Sequence, residues 1–260
     1  MERQKIQSMK NLIVAISLLL TVEACGQSKF VPGKYISGND TLPYQLYIPG
    51  KTVMPQKYPL VLFLHGAGER GNDNQLQLNY ISDVVKTQWF KQYNAVVLAP
   101  QCPKGKRWVE VDWGLPSHTM PEQPSEPMRL TMQLLDSIIK KYPVDTNRIY
   151  VVGLSMGGFG VWDALARYPD KFAAGVPICG GADTATAAQI ARIPVWVFHG
   201  SNDRVVKVSR SRDMVNALRK HGGKPIYTEY KGVGHGAWFK ALPDQKMWRW
   251  LFSQKKKTEQ

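Results

Sequence analysis

The feature that most constrains this chain is a series of short apolar runs, at residues 60–64, 95–99, 149–152, 173–178 and 195–198. Most are continuous rather than alternating, the pattern of a strand covered on both faces. Helix-like segments lie between them. Residues 74–90 have a helical pattern. A helix is predicted from about Pro127, with Leu130, Leu134 and Ile138 four apart, Ser125 as its cap and Pro143 as its stop. Further helices are expected at 161–168, 184–191, 209–221 (closed by Gly222-Gly223) and 244–252, with a last strand at 225–230. Strands alternating with helices from residue 60 onward predict a parallel α/β sheet.

Upstream, residues 30–35 and 42–48 are strand-like around a Gly38-Asn39-Asp40 turn, which predicts an antiparallel hairpin at a sheet edge. Residues 100–125 are irregular, with five prolines and two tryptophans, Trp108 and Trp113. Loops this long inside a domain are usually functional or disordered; here the tryptophans argue for an ordered wall over a site. No repeat and no interior linker appears in 260 residues, so one domain is expected over 28–253.

The run at 149–152 leads into Gly153-Leu154-Ser155-Met156-Gly157, and a helical segment follows. G-x-S-x-G between a strand and a helix is a nucleophile-elbow pattern, although chance supplies the five residues in about one chain in ten of this length. A serine hydroxyl needs a base, an orienter for that base and donors for the developing oxyanion. His235, between glycines directly after the last strand, is the candidate base. Asp203, in HGSNDRVV after the strand at 195–198, is the candidate orienter, and Asp183 is its rival. His65 and His199 read as turn or supporting residues, His118 as a substrate contact and His221 as a helix-end cation. The backbone N–H groups of Met156 and Ala67 are the candidate oxyanion donors. The order Ser155, Asp203, His235, each at a strand end, is the order found in α/β-hydrolases.

With 43% apolar and 21% charged residues the chain is expected to form a core and not to be disordered. The formal charge is +14, yet no basic stripe interleaves with aromatics, which argues against a nucleic-acid partner. Arg3, Lys5 and Lys10 precede an apolar stretch at 12–22, and Ala24-Cys25-Gly26 resembles a lipoprotein processing site. Residues 1–24 are therefore expected to be a signal peptide with Cys25 lipidated, giving an exported periplasmic or outer-membrane lipoprotein, or with plain cleavage a secreted protein. A lipid there would be the only membrane link. Residues 254–260 form a basic tail. Cys102 and Cys179 are expected as buried thiols, and three cysteines without paired spacing offer no metal site.

The stretches LHGAGERG, APQCP, GLSMGG, HGSNDRVV and GVGHGAW resemble an α/β-hydrolase of the esterase group that includes feruloyl esterases, acetyl xylan esterases and polyhydroxybutyrate depolymerase-like proteins. The resemblance covers about residues 40–250. It implies a mostly parallel central sheet with helices on both faces, and two-step ester hydrolysis through an acyl-serine without a cofactor. It also implies Ser155 as nucleophile, Asp203 as acid, His235 as base, and Ala67 and Met156 as oxyanion donors. The expected partner is an ester substrate, such as one linked to plant polysaccharide, with Trp108, Trp113, His118 and Trp238 as candidate contacts. A peptidase or a phospholipase/thioesterase-like hydrolase shares the triad, and a non-catalytic glycan-binding protein is the reading from another class.

Overall fold

The computed structural model describes residues 29–50 and 57–256. The expected signal peptide, Cys25 and the end of the basic tail lie outside the described residues.

Among the described residues eight strands form one sheet: β1 (Lys29–Ser37), β2 (Asp40–Ile48), β3 (Tyr58–Leu64), β4 (Val96–Pro100), β5 (Val144–Leu154), β6 (Ala174–Ile178), β7 (Trp196–Gly200) and β8 (Ile226–Tyr230). Their order is β1-β2-β4-β3-β5-β6-β7-β8. The expected hairpin forms the edge: β1 and β2 pair from Ser37↔Asp40 to Lys29↔Ile48, closed by Gly38 at φ +61°. β1–β2 and β2–β4 are antiparallel, and the remaining five neighbouring pairs are parallel. β3, β4 and β6 are buried throughout, as their unbroken apolar runs require.

Among the described residues eight helices cover the sheet: α1 (Ile81–Lys86), α2 (Gln88–Lys91), α3 (Glu126–Lys141), α4 (Met156–Arg167), α5 (Ala187–Ile190), α6 (Ser209–Lys220), α7 (Trp238–Ala241) and α8 (Gln245–Ser253). Alternate residues of β3 divide between two cores. Leu60, Leu62 and Leu64 pack with α3, α4 and α6, while Val61 and Phe63 face α1, Phe90 and α8. Ser125 caps α3 by accepting from the Met128 N–H at 3.2 Å, and the helix ends at Lys141, before Pro143.

The segment 74–90 is not one helix. Thr87 adopts an extended conformation (φ −68°, ψ 146°) and its hydroxyl oxygen accepts from the Phe90 N–H, so a cap interrupts the helical periodicity and splits α1 from α2. Because β3, β5, β6, β7 and β8 run parallel, the residues that follow them emerge on one rim of the sheet. Ala67, Ser155, Asp203 and His235 are all in these segments.

Candidate active site

Ser155 sits between the last residue of β5 and the first of α4, with φ +52° and ψ −118°. A non-glycine residue in that region carries about 1–3 kcal/mol of backbone strain. The turn is tight because the first turn of α4 presses against the end of β3. A Cβ on Gly157 would lie 1.9 Å from the Leu64 carbonyl oxygen, and one on Gly153 would lie 2.4 Å from the Gly157 carbonyl oxygen. Both glycines of the pattern are therefore required by close approach.

The strained turn presents Ser155 Oγ to His235 Nε2 at 2.8 Å, and His235 Nδ1 lies 2.7 Å from Asp203 Oδ2. Two loops are stitched together to achieve this. Asn202 N–H donates to the Val233 carbonyl at 2.9 Å, and Gly232 N–H to Ser201 Oγ at 2.8 Å. The Trp238 ring stands edge-on to His235 at 5.2 Å.

Asp203 accepts from every side. The N–H groups of Val205 and Val206 reach Oδ1 at 2.9 Å each, and His199 Nε2 lies 3.2 Å from Oδ2. Burial pushes the carboxyl up, but hydrogen bonds from His199, His235 and Val206 outweigh it and hold it far below the usual carboxylate range. His199 is fully buried. Its Nε2–H is shared between Asp203 and the Val206 carbonyl at 2.9 Å, and Ser211 hydroxyl lies 2.7 Å from Nδ1. The Cys179 thiol, at φ +51° after β6, borders the same carboxylate and is pushed up to about 12, mainly by burial. Cys102 and Cys179 are both free, buried thiols.

On the opposite side of Ser155 stands the segment 65–70. A Cβ on Gly66 would lie 3.6 Å from Ser155 Cβ, which brings the Ala67 turn beside the serine. Met156 is the first residue of α4, so its N–H has no carbonyl one turn back within the helix. His65 anchors the segment from beneath. Its Nε2 accepts from Cys102 N–H at 2.9 Å, so the proton is on Nδ1, which donates to the Gly66 carbonyl at 2.6 Å. Burial lowers His65 to about 4. Glu69 and Arg70, adjacent in this segment, form no ion pair among the described residues. Glu69 is buried and faces backbone N–H groups, whereas Arg70 Nε donates to the Ala67 carbonyl at 2.8 Å.

The other sequence candidates separate. Trp108 lies beneath the wall, not on it: it is fully buried and its indole N–H donates to the His65 carbonyl at 3.0 Å. Its loop position carried no signal of that burial. Trp113 is half-buried, with the Arg107 guanidinium 4.5 Å from its ring centre. His118 is half-buried, 5.8 Å from the Phe159 ring, one helical turn beyond Ser155. Asp183, the rival acid, accepts from Met120 N–H at 2.9 Å and Ala185 N–H at 3.0 Å and does not meet His235. His221 ends α6 in an exposed position.

The loop from 115 to 123 is tied down from below. Arg210 Nη1 donates to the Leu115 carbonyl at 2.6 Å and Nη2 to His118 Nδ1. Asp183 holds Met120, and Arg167 donates to the carbonyls of Pro121, Glu122 and Gln123. Arg167 is set in place by Asp163, whose two oxygens each lie 3.0 Å from its Nε. Even so, burial pushes Asp163 up to about 6.

A family model described as phospholipase/carboxylesterase matches residues 52–248. The chain is 29% identical over 174 residues to a bifunctional acetylxylan esterase/xylanase of Neocallimastix patriciarum, covering 66% of this chain and 23% of that protein. It is 26% identical over 225 residues to an uncharacterized secreted protein of Arthroderma benhamiae, covering 72% of this chain and 22% of that protein. The chain thus spans about a quarter of the length of these relatives. A solved structure of a thermostable esterase superposes with a TM-score of 0.81 at 38% identity, over 87% of this chain and 63% of that one.

Proposed function

The chain belongs to the phospholipase/carboxylesterase family, and from that premise we propose that it is an exported serine carboxylesterase acting through an acyl-serine intermediate. The observation that carries the proposal is the unbroken line from Ser155 Oγ to His235 Nε2 at 2.8 Å and from His235 Nδ1 to Asp203 Oδ2 at 2.7 Å. With Asp203 held as a carboxylate, His235 keeps its proton on Nδ1 and leaves Nε2 to accept from the serine hydroxyl. Ser155 attacks the ester carbonyl as His235 takes its proton. The tetrahedral oxyanion is received by the N–H groups of Ala67 and Met156, each contributing about 3 kcal/mol to transition-state stabilisation. His235 then protonates the departing alcohol. In the second half it activates water, which attacks the acyl-serine, and Ser155 is released with the acid.

The substrate class is an acetyl or feruloyl ester of plant polysaccharide, supported by the relative named as an acetylxylan esterase. Trp113, His118 and Trp238 form the walls against which such a substrate rests. Residues 28–253 act as one domain. Export is supported by the relative named as a secreted protein and by the leader-like residues before Cys25. The decisive test is labelling with a fluorophosphonate probe alongside turnover of acetylated xylan and methyl ferulate, with peptide anilides and acyl thioesters as comparison. Ester turnover and labelling, both lost in Ser155→Ala, are expected. Label retained in that variant, or turnover of the anilides or thioesters alone, rejects the assignment. Metabolic palmitate labelling lost in Cys25→Ser tests the lipid anchor.

A further inference from the structure

Six of the described arginines are not exposed: Arg70, Arg107, Arg129, Arg148, Arg167 and Arg210. Three of them are paired with an aspartate: Arg129 with Asp40, Arg148 with Asp145 and Arg167 with Asp163. The other three form no ion pair among the described residues, and all three border the loop at 102–123 beside Ser155.

Their placement is specific. Arg70 is tied through Nε to the carbonyl of Ala67, and its Nη1 reaches the Lys106 carbonyl at 3.3 Å. Arg107 donates through Nη1 to the Val111 carbonyl. The two guanidiniums lie 4.5 Å and 5.9 Å from the centre of the Trp113 ring. Among the described residues, Arg70 Nη2 and Arg107 Nε and Nη2 meet no acceptor and so can donate to a ligand. Arg210 is only 2% exposed, lies 5.1 Å from the Phe159 ring, and its Nε is buried without an acceptor. It reaches no solvent, so it acts through its field and through His118, whose Nδ1 it occupies so that the imidazole proton stands on Nε2.

Carboxylates are present nearby but are committed elsewhere or turned outward: the exposed Asp112 and Asp213 act on Arg210 through space, without an ion pair. Asp73 accepts from the N–H groups of Gln75 and Leu76 and from Gln101. Asp112, which is exposed, accepts from Gly114 N–H. Glu110 is exposed, and Glu69 faces backbone N–H groups. A guanidinium removed from water without a counter-ion is unfavourable unless another charge completes the site. Arg210 is the buried member of the three, while the half-buried Arg70 and Arg107 have donors left over and no ion pair among the described residues, which leaves room on this wall for an anion that arrives with the ligand.

We infer that Arg70, Arg107 and Arg210 make this wall a recognition site for a carboxylate carried by the ester substrate, with Arg70 and Arg107 as its direct contacts. The inference rests on the esterase reading and narrows it from neutral esters to anionic ones. A planar carboxylate matches the two-donor edge of a guanidinium, and Trp113 fixes the orientation of those edges.

Two matched pairs of esters test this and separate the two sides of the ester bond. 4-Nitrophenyl hemisuccinate against 4-nitrophenyl methyl succinate places the charge on the acyl side. 3-Acetoxybenzoate against methyl 3-acetoxybenzoate places it on the alcohol side. The anionic member of at least one pair should have a kcat/KM about tenfold higher, carried by KM and diminished by added salt. In Arg107→Gln that ratio should fall toward one, and Arg107→Lys should retain part of it. Equal or reversed preference in both pairs, or a ratio unmoved by Arg107→Gln, overturns the inference. Calorimetric binding of the same esters to Ser155→Ala gives a readout that needs no turnover. If the wild type turns over none of these esters while Ser155→Ala still binds the anionic member more tightly, the esterase reading fails and the recognition site stands.

Discussion

Replacing Asp203 with asparagine tests the site at its most constrained point. The carboxylate receives four N–H donors and gives none: Val205 and Val206 on Oδ1, His235 and His199 on Oδ2. An amide has one acceptor oxygen and must place its NH2 against two of those donors. The backbone N–H groups cannot move their protons, whereas an imidazole can, so the oxygen is expected at the Oδ1 position and the NH2 at Oδ2. His235 must then accept at Nδ1 and carry its proton on Nε2, facing Ser155 as a donor rather than an acceptor. The fold is retained while general-base catalysis is lost. The loss expected for a base trapped in the wrong tautomer is about 10⁴-fold in kcat, or about 5 kcal/mol at 1.36 kcal/mol per tenfold. The assay is steady-state hydrolysis of 4-nitrophenyl acetate, with ¹⁵N chemical shifts of the His235 ring reporting the tautomer. Asp183→Asn is the control and should remain within about twofold of wild type. Retention of more than a tenth of wild-type kcat in Asp203→Asn, or an equal loss in Asp183→Asn, refutes the reasoning.

Other outcomes follow from the same geometry. Ser155→Gly should unfold at a higher temperature than Ser155→Ala, by about 1 kcal/mol, because glycine accepts the +52° φ that strains any side chain; equal melting temperatures would show that the turn is unstrained. Gly157→Ala should abolish activity and soluble yield, since its methyl group would sit 1.9 Å from a backbone oxygen; an active, soluble variant contradicts the close packing. Asp163 has a folded-state pKa raised to about 6, mainly by burial, so the folded protein binds its proton more tightly than the unfolded chain. Its contribution to stability therefore falls as pH rises from about 4 to 6. Melting temperature against pH for wild type and Asp163→Asn should diverge across that window, and parallel curves would reject the assignment.

Much of the fold was legible because buried parallel strands leave an unmistakable trace. Residues 60–64 are apolar without alternation, and the strand they form is buried along its whole length. Ser125 and Pro143 marked the ends of α3 through capping and backbone chemistry that depend on a few adjacent residues. The break at Thr87 was not legible, because the same threonine also suits a helix interior when its hydroxyl finds no N–H to cap. At the site, chain order admits Asp183 as well as Asp203, since both fall between Ser155 and His235, and the stitched loops are what bring Asp203 to His235. His199 was readable as a supporting residue, while its contact with Asp203 depends on the way the chain turns back at Val206. Trp108 misled: a tryptophan in a proline-rich loop gives no sign of which way its ring points, and this one points into the core.

The ties beneath residues 115–123 bear on how turnover is timed. Arg210, Asp183 and Arg167 hold that stretch by its backbone as well as through His118, so it moves with the body of the sheet and not as a flap. A cleft with a fixed wall has no opening step to wait for and no closed resting form to be activated at an oil–water boundary. Progress curves on dispersed and on aggregated esters should then start without a lag, and new acyl preferences should arise from side-chain replacements along this stretch, on an unchanged backbone.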